Sequence, residues 1–300
     1  MSWDEALAGL EPPFAFVDLD AVAENSRRML AAADGKPIRI ASKSVRSRPL
    51  LQRFLASGYQ GLLNFTLREA LWLHSHGFRD LLVAYPSVEP EALAALAELD
   101  PDTAPTLMVD CIEQLDLIGR AKVAIDLDVG YWPLGGRLKF GPKRSPIRTP
   151  EQARALAEEI LSRPNLTLAG VMAYEGQIAG LADRVPGRGW ENLLIRAIKH
   201  YSAKDVAERR AAMVHAIREL APIGFVNGGG TGSIPQTCAE ACVSEVTAGS
   251  GFYAPQLFQY YRGHDLLPAA GFCLSVNRRP DARTAAALGG GYIASGPTRK

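Results

Sequence analysis

The 300-residue chain, 47% hydrophobic, is long enough to bury a large core as one big domain or one and a fraction. Its 33 Lys and Arg against 32 Asp and Glu leave a formal charge of +1, which gives no bulk electrostatic reason to expect nucleic acid or an anionic membrane as partner. The acidic N-terminus lacks the basic start of a signal peptide, and charges, Gly or Pro break every apolar run short of a membrane-spanning length, so the chain reads as soluble and cytoplasmic.

The first strand-like run covers residues 14–19. A helical pattern follows, with Val22, Met29 and Leu30 apolar and Asn25, Arg27 and Arg28 polar. From there strand-like and helix-like segments alternate. Strands are predicted at 38–42, 61–65, 81–85, 106–109, 123–128, 166–174, 225–227 and 245–248. Helices are predicted at 67–76, 89–99, 111–118, 151–161 and 190–219, the last as one helix or two. Repeated β-then-α units argue for an α/β fold with a parallel sheet, and eight of them fit a closed (β/α)8 barrel of the TIM type. A doubly wound sheet, with fewer strands and a switch point, ranks second. The strand at 14–19 precedes the barrel and is expected to pair with a second domain. Residues 269–276 and 289–295 read as β segments with a Pro/Asp/Arg-containing connection, the opening of an antiparallel β domain. The expected division is a barrel over 14–265 and the beginning of a C-terminal β domain over 266–300. Two or three such strands are marginal alone, so the sequence is expected to be truncated or these strands to pack on a partner.

In such a barrel reactive groups sit at the carboxyl ends of the strands, and phosphate sites favour the loops after strands seven and eight. Lys43 follows the first barrel strand, where desolvation can lower an amine's pKa and let it form a Schiff base with a carbonyl. After the seventh strand comes Asn227-Gly228-Gly229-Gly230-Thr231-Gly232-Ser233, and after the eighth Ala248-Gly249-Ser250-Gly251. Residues without side chains let backbone N–H groups approach an anion, and the hydroxyls add donors. An amine facing a phosphate cradle across the mouth can hold pyridoxal 5'-phosphate. Tyr174, in Tyr174-Glu175-Gly176-Gln177 at the end of the sixth strand, could pack on a cofactor ring or cap the barrel core. Asp126 and Asp128 share one face of their strand, either for acid–base work or as ion-pair partners. Arg137, after that strand, is the nearest arginine to pair with a phenolate or carboxylate, or is a solvated loop residue. His74 and His76, two apart on a helix, cannot converge on one ion, and no complete metal site is visible. Cys111, Cys238, Cys242 and Cys273 have neither C-x-x-C nor disulfide-scaffold spacing; Cys238 and Cys242, four apart, could face together on a helix but read as small buried residues.

PFAFVDLDAVAENSRRM, IRIASKS with Lys43, LREALWLHSHGFRDLLVAYP, AGVMAYEGQ, NGGGTGS and SEVTAGSGFY occur in that order. Together they make the chain resemble the fold-type III pyridoxal-phosphate enzymes with an alanine-racemase-like N-terminal barrel, most of all the D-threonine aldolase and D-serine dehydratase branch. The resemblance implies that Lys43 carries the cofactor and later acts as base. It places Tyr174 beside the cofactor, and Asn227, Gly230, Thr231 and Gly232 with Gly249 and Ser250 around the phosphate; Arg137 matches the racemase-type arginine near the phenolate loosely. Where racemases carry a histidine this sequence has Tyr174-Glu175, and NGGGTGS lacks the arginine racemases place against the pyridine nitrogen. A weaker electron sink suits aldol cleavage or β-elimination better than a free carbanion. The implied activity is that of a lyase on small D-β-hydroxy amino acids, by retro-aldol cleavage or by deamination, in a homodimer. An amino-acid racemase and a non-catalytic cofactor carrier are the alternatives. The branch also takes a divalent metal through a His-x-Cys or His-x-Asp motif of its β domain; no such motif occurs here, so metal-assisted turnover is in doubt if the chain is complete, and the ligands lie beyond Lys300 if it is a fragment.

Overall fold

The computed structural model describes residues 3–263 and 265–288. Outside the barrel lies β1 (Phe14–Val17), which runs into the helix Leu19–Ala32. Asp18 caps that helix by accepting the N–H groups of Asp20 and Ala21. The next eight strands are β2 (Ile38–Ala41), β3 (Leu62–Asn64), β4 (Leu81–Val83), β5 (Thr106–Val109), β6 (Ala121–Asp126), β7 (Leu166–Ala173), β8 (Phe225–Gly228) and β9 (Glu245–Ala248). They pair in parallel and in sequence order, and β9 pairs back onto β2 through Ile38↔Val246, closing the barrel. Their near-continuous apolar composition reflects burial on both faces. Ile38, Ile40, Val83, Val123, Ile125 and Val246 join the main core, while Leu82, Met108, Ala124 and Met172 form a separate inner cluster with Leu63 and Phe225.

The barrel floor is polar. Arg39, 3% exposed, donates to both oxygens of Glu245 at 2.8 and 2.9 Å and to Asp80 at 2.9 Å. An arginine this deep is tolerated because each charge is met by a partner. Above it, Asn227 Nδ2 donates to Glu245 (2.8 Å) and Thr247 (2.9 Å).

The helices Leu67–Ser75 and Pro150–Leu161 start at Thr66 and Thr149, each hydroxyl accepting an N–H one turn on. The segment 190–219, which the sequence leaves as one helix or two, is a single helix, Gly189–Arg218. The helix predicted at 111–118 shrinks to one turn, Ile112–Leu115, after which the Leu117 and Ile118 N–H groups donate to the Gln114 and Leu115 carbonyls as the chain turns towards β6. β1 pairs antiparallel with β10 (Ala270–Cys273), Phe14 opposite Cys273. β11 (Ser275–Asp281) and β12 (Thr284–Leu288) form a separate hairpin, so much of the predicted Pro/Asp/Arg connection is itself strand. The segment predicted at 289–295 lies outside the described residues. No helix among the described residues is long and apolar enough to cross a membrane.

Candidate active site

β2 delivers Lys43 to the mouth of the barrel on a single helical turn, Ser42–Val45. That turn is tied to its neighbours at both ends. Ser42 Oγ donates to Glu69 Oε1 at 2.6 Å and accepts from Asn64 Nδ2 at 3.0 Å, while Tyr253 Oη donates to the Val45 carbonyl at 2.7 Å. Arg46, at φ 50°, ends the turn and returns its Nε to the Lys43 carbonyl. The Lys43 ammonium lies 5.6 Å from the centroid of the Phe65 ring. Crowding at the mouth and the nearby Arg144 charge hold the amine below the usual lysine range, with Glu69 opposing. Lys43 remains open to solvent on its outer side.

Lys43 borders a cavity of about 330 Å³ whose other walls come from the ends of the remaining strands. Beside Lys43 on the same side of the mouth lie Gly249 and Ser250 after β9, the strand paired with β2, and next to them Gly229, Gly230 and Thr231 after β8. The Gly251 N–H donates to Thr231 Oγ1 at 3.1 Å and so joins the two loops. A Cβ at Gly249 would stand 2.7 Å from Ala41 Cβ and 2.9 Å from Ser44 Cβ; one at Gly230 would stand 2.9 Å from Ala179 Cβ. Glycine is required at both places because the loop backbone itself forms the wall.

The loop after β8 is anchored from behind by Glu175. Its carboxylate, 1% exposed, accepts from the Gly229 N–H (3.1 Å), Ser233 Oγ (2.8 Å), Thr237 Oγ1 and Arg210. Burial alone would raise its pKa, but the Arg210 charge and the hydroxyls override that and hold it below the usual carboxylate range. Arg210, fully buried, meets Glu240 on its far side.

Tyr174 faces the cavity, and so do Tyr85, Tyr261 and Arg144. Burial, then Glu175, pushes the Tyr174 phenol up, and burial pushes Tyr261 up to about 12; both are neutral donors at ordinary pH. Arg144 crosses the mouth, 4.6 Å from the Tyr85 ring centroid, with Nε on Asp126 (3.2 Å) and a terminal N–H on the Ala84 carbonyl (2.8 Å).

Of the residues singled out in the sequence, Lys43, Tyr174, Asn227, Gly230, Thr231, Gly249 and Ser250 line this one cavity. Asn227 does so with its amide already committed to Glu245 and Thr247. Gly232 is not in the lining; its Cα packs on the Ala179 carbonyl, 2.2 Å from where a Cβ would sit. Arg137 is exposed. The Tyr131–Phe140 bridge folds segment 131–140 back on itself and carries Arg137 on its outer turn, and the backbone returns to the mouth with Arg144 instead. Asp126 and Asp128 are both buried, but each faces its own arginine, Arg144 and Arg148. Sequence reasoning missed Arg144, which no local spacing separates from its neighbours, and Tyr85, whose place at the end of a predicted barrel strand was a usable signal.

Residues 17–256 match the family described as alanine racemase, N-terminal domain. Among curated proteins, the chain is 29% identical over 260 residues to 3-hydroxy-D-aspartate aldolase of Paracoccus denitrificans, covering 85% of this chain and 63% of that protein. It is 24% identical over 249 residues to D-threonine aldolase of Arthrobacter sp, covering 82% and 62%. The chain thus spans less than two thirds of the length of these two relatives. Among solved structures, D-threonine aldolase from Filomicrobium marinum superposes with a TM-score of 0.79 at 20% identity, over 95% of this chain and 74% of that one.

Proposed function

The chain belongs to the alanine racemase N-terminal domain family, and from that premise we propose that it is a pyridoxal-phosphate-dependent lyase that cleaves small D-β-hydroxy amino acids by a retro-aldol reaction. The observation that carries the reading is the single cavity lined together by the Lys43 amine and by two joined glycine loops, each bearing a hydroxyl. The donor set fits the cofactor: an amine for its aldehyde, and N–H and hydroxyl groups from Gly230, Thr231, Gly249 and Ser250 for its phosphate. Both curated relatives are named as aldolases.

Bound there, the cofactor supplies an aldehyde that joins amines covalently and a conjugated ring that draws electrons from the bonds to Cα. The protein's own residues supply the rest. Lys43, whose amine burial and Arg144 hold below the usual lysine range, is the lining group that acts as base. Removing the β-hydroxyl proton directs the Cα–Cβ electrons onto Cα and releases an aldehyde; returning a proton to Cα leaves glycine. Tyr174 and Tyr261, neutral phenols in the cavity wall, can donate hydrogen bonds to the substrate carboxylate or to the departing oxygen. Arg144 brings a fixed positive charge to the same space. Among the described residues no group of three or more His, Cys, Asp or Glu side chains is placed to hold a metal ion. The test therefore supplies the purified protein with D-threonine or 3-hydroxy-D-aspartate, each with and without added divalent cation. Glycine with an equimolar aldehyde is the expected outcome. A keto acid with ammonia would move the reading to elimination, and the L-enantiomer alone, or no product under any condition, would refute it.

A further inference from the structure

The inner rim of the barrel carries a second ionisable group that the cavity lining does not reveal. β5 and β6 pair with Val109 opposite Ile125, so Asp110 and Asp126, the next residue on each strand, stand side by side. Both are buried, at 9% and 2% exposed. Asp110 is fixed by Gln114, whose Nε2 donates to its Oδ1 at 2.7 Å while its Oε1 accepts the Asp110 N–H at 2.8 Å. Asp126 Oδ2 accepts from Arg144 Nε at 3.2 Å. Asp128, the other acid on this strand end, is taken up by Arg148 and the Gly130 N–H. Arg144 is thus held by Asp126, with Asp110 at the neighbouring strand end, and its outer face looks across the cavity towards Lys43, Tyr85 and Tyr174.

Resting on the reading of Lys43 as the reactive amine, we propose that Asp126 is a positioning residue that holds Arg144 at the cavity rim and, with Asp110 beside it, sets the charge that Lys43 feels. Buried like charges at neighbouring strand ends disfavour each other's ionisation. Burial, outweighing Arg144 and helped by Asp110 and Asp128, pushes Asp126 up to about 7, and burial also raises Asp110. Ionised Asp126 neutralises Arg144; protonated Asp126 leaves the guanidinium charge acting on Lys43, whose amine then loses its proton more readily. The acidity of the reactive amine is tied in this way to a carboxyl pair that does not touch the cavity.

The test needs no cofactor, so its failure is distinct from a failure to bind one. The 300-residue protein is labelled with carboxyl-¹³C aspartate, the two signals are assigned with D110N and D126N, and each is titrated. In parallel, Lys43 is labelled with acetic anhydride as a function of pH and quantified by peptide mapping. The expected result is an Asp126 signal with a midpoint near neutrality that falls by about one pH unit in D110N. In D126N the Lys43 labelling midpoint falls by roughly half a unit or more, through the loss of the charge that offsets Arg144. An Asp126 midpoint near the ordinary aspartate value of about 4 in the unaltered protein, an Asp126 signal unmoved by D110N, or a Lys43 midpoint unmoved by D126N would each overturn the proposal. The wild-type titration decides the first point even where a variant fails to fold.

Discussion

Replacing Glu175 with alanine removes the carboxylate that four donors converge on: Arg210, the Gly229 N–H, Ser233 and Thr237. Arg210 is fully buried and would keep only Glu240 and the Ala173 carbonyl. Breaking a buried pair from one side costs about 3–5 kcal/mol, because the remaining charge is left uncompensated. Glu175→Gln keeps the shape and one acceptor oxygen, and should cost about 1–3 kcal/mol, the range for buried donors left unmet. Urea unfolding followed by circular dichroism measures both. The direction with pH is also fixed. The folded-state pKa of Glu175 lies below its unfolded value, so its contribution is complete above the unfolded pKa and is lost as pH falls through the folded one. The gap between wild type and E175A should therefore close in acid. An E175A loss under about 1 kcal/mol, the range of a solvent-exposed pair, would refute the view that this network braces the glycine loop after β8.

Gly249→Ala should weaken binding of pyridoxal phosphate at least about tenfold, because relieving contacts of 2.7 and 2.9 Å to Ala41 and Ser44 must displace the loop; a fluorescence titration showing unchanged affinity would contradict this. Tyr174→Phe should keep cofactor affinity within about threefold but lower kcat by about 10²-fold, the range for one positioned donor. A loss confined to KM would assign Tyr174 to substrate binding alone.

The barrel could be read in the sequence because its signal is repeated: eight short apolar runs at the spacing of βα units, most of them followed by a helical pattern that covers the outer face. Lys43 and the two glycine loops could be read for a related reason, since the fold itself dictates that strand ends meet at one mouth. What could not be read depends on contacts between residues far apart in sequence. Arg210 sits within a 30-residue polar helix, and nothing local marks it as the partner of a carboxylate 35 residues earlier. Arg137 and Arg144 lie in one loop, and proximity to β6 favoured the wrong one for the cavity. The Tyr131–Phe140 bridge, with Gly135 and Gly136 at positive φ, reverses the backbone and exchanges their places. The position of β1 followed from parity: a strand left over from a closed barrel needs another edge, and β10 provides it.

The central claim is that Lys43 carries the cofactor in this cavity. The direct measurement is the visible spectrum of the purified protein with pyridoxal phosphate before and after borohydride, followed by peptide mapping of the reduced product. The account predicts a yellow protein whose colour is discharged by borohydride and whose label maps to Lys43, and no label in Lys43→Ala. A colourless protein, or label on a different lysine, would contradict it.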